Sequence, residues 1–254
     1  MNSGVFDRSG LAALSDLQTS EWKETFTALE AVQREFLENE AHFRSPDYPW
    51  PRDPLHNWSR VWEYPYVFHH LKAWRSRFTE TDLPRVADVG SGVTFFPFAV
   101  ARLGYHVTCT DMDPVCGRDL PRAAERVDQA PGKLAFRLAD GLTLPFDDVE
   151  MDAVYCISVL EHIPAFEDIL AEIARVLKPG GLFVLTVDIQ TKGNREPDAE
   201  FRSRLASARE RYFTYLHTEC PIHPADLLTT LTGPYPLPSP LGLRRVWFII
   251  KQLI

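Results

Sequence analysis

The sequence predicts an α/β chain, a mostly parallel twisted sheet with helices on both faces, preceded by an N-terminal helical arm. Two patterns and the composition carry that expectation. From Pro84 onward, short apolar runs alternate with longer stretches of helical periodicity, the texture of a parallel sheet flanked by helices. Before it, Leu14, Leu17, Trp22, Phe26, Leu29, Val32 and Phe36 recur at the spacing of an amphipathic helix. With 254 residues, 45% hydrophobic and 24% charged, the chain can build one sizeable core but not two domains of full size.

Taken in order, residues 11–44 form the helical arm. The stretch from Ser45 to Pro54 breaks it as a bend or lid, because each proline lacks an amide donor and disfavours helix in the residue before it. A second helix is expected within Val61–Phe78, starting near Pro65, which suits a first helical turn. Strands are expected at about 85–89, 105–110, 133–138, 151–157 and 181–188, with helices at about 95–103, 114–127 and 165–177. Lys178-Pro-Gly-Gly181 should end the last of these helices, with Gly180 as a left-handed C-cap. A polar segment of about 191–231 reads as a helical insertion, one helix over Thr191–Arg211 and a short one over Ala225–Leu231. The tail Leu243–Lys251 suits a closing strand and a helix equally. This divides the chain into an arm or lid at 1–80 and a main domain at 81–254.

A net charge of −8 argues against a broad surface for nucleic acid. The sequence lacks a long apolar run and a signal-peptide pattern, so the expectation is a cytoplasmic protein with no membrane partner; the oligomeric state stays open. Cys109, Cys116, Cys156 and Cys220 show no metal-ligand spacing, so no metal is expected and the thiols are read as reduced.

In such a sheet, ligands lie beyond the carboxyl ends of the strands where the strand order reverses. Asp88-Val-Gly-Ser-Gly-Val-Thr94 follows the first expected strand, with Gly90, Ser91 and Gly92 in a tight turn that opens a helix with free amides. Glycines also serve purely structural turns. Asp111 adds a carboxylate at the next strand end, roughly 20 residues on, where it can accept both hydroxyls of a ribose. Asp140, before Gly141, offers an acceptor for an adenine amino group or a simple turn carboxylate. A dinucleotide and S-adenosylmethionine both remain in play. Asp88, two residues before Gly90, would repel a pyrophosphate but can orient the turn amides and face a cationic methionine end. Thr94 stands where the dinucleotide fingerprint has its third glycine.

On Val86-Ala-Asp-Val-Gly-Ser-Gly92, Thr110-Asp-Met-Asp113, Leu144-Pro-Phe-Asp-Asp148, Met151–Ile163 and Arg175-Val-Leu-Lys-Pro-Gly-Gly181, residues 85–188 resemble the class I S-adenosylmethionine-dependent methyltransferase superfamily, particularly its small-molecule type. The resemblance implies a Rossmann-like fold with S-adenosylmethionine as cofactor. It places Asp88, Gly90 and Gly92 along the methionine portion, Asp111 at the ribose, Met112 on an adenine face, and Asp140 with Gly141 at the adenine edge. Cys156 and Ile157 would pass the methionine amino group and the transferable methyl. The chain departs from the superfamily at Val93-Thr94, where a third glycine is common.

Methyl transfer from a sulfonium needs alignment above all, so a catalytic residue is optional. His162 is the best candidate base for an oxygen acceptor, although it also suits a helix-packing role. In the arm, Tyr64 could reach the methionine carboxylate, Arg60 could pair with it, and Trp58 or Trp62 could wall the acceptor pocket; the same aromatics could simply glue the arm to the core. The sequence Cys156-Ile-Ser-Val159 lacks the Asn/Asp-Pro-Pro-aromatic signature of base methylation, which favours a small-molecule acceptor. A non-catalytic cofactor-binding module and an NAD-dependent oxidoreductase are the rival readings.

Overall fold

Thr19 shows how the arm begins: its side chain accepts from the Trp22 amide, capping the first long helix. In the computed structural model, which describes residues 4–189, 191–192, 196–197 and 199–237, a short strand β1 (Ser9–Gly10) precedes that helix, α1 (Ser20–Glu38). Phe26, Leu29, Val32 and Phe36 line its buried stripe, as their spacing predicts. The second helix, α2 (Arg60–Arg75), starts five residues before the expected position, so Pro65 lies inside it. Proline cannot donate to the carbonyl four residues back. The Trp22 indole fills that role, donating to the Val61 carbonyl at 2.8 Å and tying α1 to α2.

The remaining elements follow as β2 (Arg85–Val89), α3 (Phe96–Arg102), β3 (His106–Asp111), α4 (Pro114–Ala124), β4 (Lys133–Leu138), β5 (Met151–Ile157), α5 (Phe166–Val176) and β6 (Leu177–Thr186). After them come β7 (Thr191–Lys192), β8 (Glu196–Pro197), α6 (Ala199–Tyr212) and β9 (Glu219–Cys220). The main sheet runs β4-β3-β2-β5-β6, every neighbouring pair parallel. Its order reverses at β2, which opens a crevice beyond the carboxyl end of that strand.

Strand alternation divides the core in two. Val86, Val107, Cys109, Tyr155 and Val184 face a cluster shared with α1, α2, α3 and α4, whereas Ala87, Val89, Val154, Cys156 and Leu185 face α5 and α6. The arm therefore supplies part of the same core as the sheet.

Three expectations change. Lys178-Pro-Gly-Gly181 lies within β6, because α5 already ends at Val176; Gly180, at φ +72°, serves a bulge, and the pairing jumps from Met151–Leu177 to Ala153–Leu182. In place of a helix at 225–231, Pro224–Asp226 form a single 3-10 turn and Leu227 bridges back to Ala13. Within the insertion, β9 pairs with β1, so the segment after α6 is stitched to the N-terminal residues rather than standing apart. The tail 243–251 lies outside the described residues.

All four cysteines are free, and Cys109, Cys116 and Cys156 are buried. Among the described residues, no helix is long and apolar enough to cross a membrane, and no cluster of three or more metal-ligating side chains is present.

Candidate active site

The crevice at β2 is a cavity of about 510 Å³, within the range of small-molecule sites. Its floor comes from the ends of β2, β3 and β5, and its cover from the proline-rich strap, with Tyr48, Pro49, Trp50, Pro51 and Pro54 on its wall. The strap is pinned at its start: buried Asp119 accepts from the Ser45 amide and hydroxyl, and Arg118 pairs with Asp47 at 2.8 Å.

Gly90 and Gly92 adopt φ of +72° and +55°, the left-handed region that glycine enters without penalty. A Cβ on Gly90 would come within 2.5 Å of Val159, so the turn rests directly on the loop after β5. Sequence reasoning expected free amides here. Instead Gly90 and Ser91 donate to the Thr110 carbonyl at 2.9 and 3.0 Å, Gly92 to Asp111 Oδ2 at 2.9 Å, and Val93 to the Tyr48 hydroxyl at 2.9 Å. The turn thus lines the cavity with its shape rather than with unpaired donors. Tyr48 was missed because its role depends on the strap folding back over 40 residues; its burial pushes the phenol up to about 12.

Asp111 stands where the sequence places it. Its carboxylate bridges the Gly92 and Asp113 amides, each at 2.9 Å, and faces the cavity with acceptor capacity to spare. Asp88 also lines the cavity but sits opposite Tyr155 in the pairing of β2 with β5, on the buried face of the sheet. Burial, together with the Asp111 charge, pushes its carboxyl up to about 8. The turn amides being committed elsewhere, Asp88 does not orient them.

Met112, Gly141, Ile157 and His162 all line the cavity, and Met112 is two-thirds exposed. Asp140 does not. Its Oδ1 accepts from the Leu142 and Thr143 amides and its Oδ2 from the Thr143 hydroxyl, which makes it a turn-capping carboxylate held below the usual range by those bonds. Cys156 also leaves the site: alternation sends its side chain into the core under α5. Ser158 takes its place, with φ +50° and its hydroxyl donating to Glu63 at 2.7 Å.

From α2, Arg60 and Tyr64 both reach the cavity, and Tyr64 stacks on Phe96 at 4.6 Å. Through Nη1, Arg60 pairs with buried Glu63 and donates to Ser158 at 2.7 Å. Trp58 and Trp62 do not wall the cavity. Both are buried, and Trp62 packs on Phe6 and Tyr66 while donating to Asp16. Trp50 on the strap is the tryptophan that lines it.

These features fit S-adenosylmethionine. The cavity has an apolar lining for an adenine, an acid at the β3 end for hydroxyl groups, a buried acid for positive charge, and a buried Ser91 hydroxyl without a hydrogen-bond partner among the described residues.

Comparison with protein families matches residues 87–185 to the family described as Methyltransferase domain. Among curated proteins, the sterol 24-C-methyltransferase of Kluyveromyces lactis is 31% identical over 134 residues, 52% of this chain and 35% of that protein. The demethylmenaquinone methyltransferase of Tropheryma whipplei is 37% identical over 100 residues, 39% of this chain and 40% of that one. The matches thus span well under half the length of these relatives. Among solved structures, an S-adenosylmethionine dependent methyltransferase from Mesorhizobium loti has TM-score 0.49 and 17% identity, covering 75% of this chain and 98% of that one.

Proposed function

We propose, from the premise that this chain is a member of the class I S-adenosylmethionine-dependent methyltransferase superfamily, that it transfers a methyl group to an oxygen or nitrogen of a small molecule. The observation that carries the reading is Asp111, fixed by two backbone amides at the carboxyl end of β3 and facing a cavity at the reversal of strand order.

S-adenosylmethionine supplies a methyl carbon already activated on a cationic sulfur. In this reading Asp111 accepts the ribose hydroxyls and Met112, in contact range of Gly141, covers an adenine face. Asp88 balances positive charge at the methionine end, which favours its ionised form over the neutral one that burial alone prefers. Ile157 and Ser158 border the methyl end, and Tyr64 walls it from α2. His162 lines the cavity wall just beyond β5, which supports it as the base that takes the acceptor proton. The strap excludes water and holds the acceptor in line, as the lid part of an arm at residues 1–80 whose helices pack into the core of the domain at 81–254.

The named activities of the sterol and demethylmenaquinone relatives support a small-molecule acceptor, and the −8 charge speaks against nucleic acid. The test is twofold. Calorimetry should show S-adenosylhomocysteine binding in preference to NAD, and preference for NAD would refute the donor assignment. Labelled methyl transfer into metabolite extracts should yield a small labelled product; donor binding without any labelled acceptor would favour a non-catalytic module.

A further inference from the structure

After the glycine turn, two successive amides go to side chains on the rim of the cavity. Gly92 donates to Asp111 Oδ2 and Val93 to the Tyr48 hydroxyl, each at 2.9 Å. The phenol oxygen and the Asp111 carboxylate are therefore neighbours, one arriving on the strap and the other at the end of β3, and both residues line the cavity. Gly92 leaves room for the phenol, since a Cβ there would come within 2.9 Å of Tyr48 Oη.

A phenol both donates and accepts. The Val93 amide uses the acceptor side of Tyr48, whereas the phenol's own proton meets no acceptor among the described residues. The side chain that carries this unused donor is fixed in place. The Tyr48 amide donates to the Ser45 carbonyl at 3.2 Å, the Arg44 guanidinium lies over the ring at 4.7 Å, and Ser45 and Asp47 are tied to α4 through Asp119 and Arg118. Burial above all, with a smaller contribution from the Asp111 charge, pushes the phenol up to about 12, so it keeps its proton at neutral pH.

An ionised carboxylate only accepts. A ribose hydroxyl that donates to Asp111 therefore still carries open lone pairs on its oxygen, and burying them without a donor is costly. The turn amides cannot serve, because Gly90 and Ser91 donate to the Thr110 carbonyl and the next two to Asp111 and Tyr48. Resting on the methyl-donor reading, we propose that Tyr48 is a cofactor-binding residue, giving its phenol proton to a ribose hydroxyl oxygen of S-adenosylmethionine while Asp111 takes that hydroxyl's proton. The strap is then bonded to the ribose as well as laid over it.

The test is isothermal titration of the full chain, wild type and Tyr48→Phe, with S-adenosylhomocysteine and with its 2′-deoxy and 3′-deoxy analogues. Tyr48→Phe keeps the ring under Arg44 and should weaken S-adenosylhomocysteine about fivefold. It should weaken one of the two analogues by less than about twofold, because the oxygen that Tyr48 addresses is already missing there. The second variant carries 4-aminophenylalanine at position 48, whose amine donates but accepts poorly. That variant should bind S-adenosylhomocysteine within about twofold of wild type while its unliganded melting temperature stays with that of Tyr48→Phe. A loss shared equally by all three ligands, or no loss for S-adenosylhomocysteine, overturns the assignment of Tyr48 and leaves the methyl-donor reading standing. Failure of S-adenosylhomocysteine to bind the wild-type chain removes both.

Discussion

Replacing Asp111 by alanine removes two functions at once, and the structure lets them be separated. In the proposed site the carboxylate accepts both ribose hydroxyls, and hydrogen bonds to a charged acceptor contribute roughly 1.5–3 kcal/mol each. Two of them correspond to a loss of about 10²- to 10⁴-fold in affinity for S-adenosylhomocysteine, with tenfold as the floor if one is replaced by water. The same carboxylate also accepts from the Gly92 and Asp113 amides at 2.9 Å, so its removal strips both donors of their partner and should lower the melting temperature too. Asp111→Asn keeps one acceptor oxygen for the turn and should recover part of the stability but little of the affinity. Isothermal titration gives the affinities and thermal unfolding the stabilities of the three chains. A folded Asp111→Ala that binds S-adenosylhomocysteine within threefold of wild type would refute the placement of Asp111 at the ribose.

Gly90→Ala would force a non-glycine residue to φ +72° and drive its Cβ to within 2.5 Å of Val159, so unfolding should become easier by roughly 1–3 kcal/mol. Adding Val159→Ala should return the part due to the clash, and chemical denaturation that shows no such recovery would mean the turn does not rest on that side chain. Trp22→Phe strands the Val61 carbonyl because Pro65 has no amide to offer it; in a Pro65→Ala background the loss should shrink by about 1 kcal/mol, and equal losses in both backgrounds would rule the coupling out. Asp88 has a folded-state pKa raised from 3.8 to about 8, so the stability of its neutral form is present below pH 4 and lost as pH climbs through 8. Asp88→Asn should therefore gain on the unliganded wild type in melting temperature across pH 4–8, and a difference independent of pH would remove burial as the cause.

The sheet was legible because its strands are short runs between helical stretches, a pattern that needs no knowledge of partners: 85–89 and 151–157 coincide with the largely buried β2 and β5, and 133–138 with the half-exposed edge strand β4. Where reading failed, the deciding interaction was remote in sequence. Pro65 looked like a helix start because its missing amide is harmless there; nothing local reveals that Trp22 satisfies the carbonyl it abandons. Gly180 looked like a C-cap because helix ends and bulges both use a left-handed glycine, and only the pairing of β6 with β5 tells them apart.

The site divides along the same line. Asp111 and the glycine turn were legible because β2, the turn and β3 are consecutive, and their bonds to one another follow from the parallel pairing of those strands. Asp140 and Cys156 do not line the cavity, for opposite local reasons. The carboxylate of Asp140 had nearer amides to serve in its own turn, and one step of strand alternation separates Cys156 from Ile157, which does face the cavity. The rest of the cavity wall depends instead on α2 and the strap meeting the loop after β5. Arg60 alone reads as an anion-binding residue; only the fold brings Ser158, nearly 100 residues away, to the Nη1 that also pairs with Glu63 on its own helix. The part of the cavity built on β2, its turn and β3 is thus written in contiguous sequence, whereas the part under α2 and the strap emerges from tertiary neighbours.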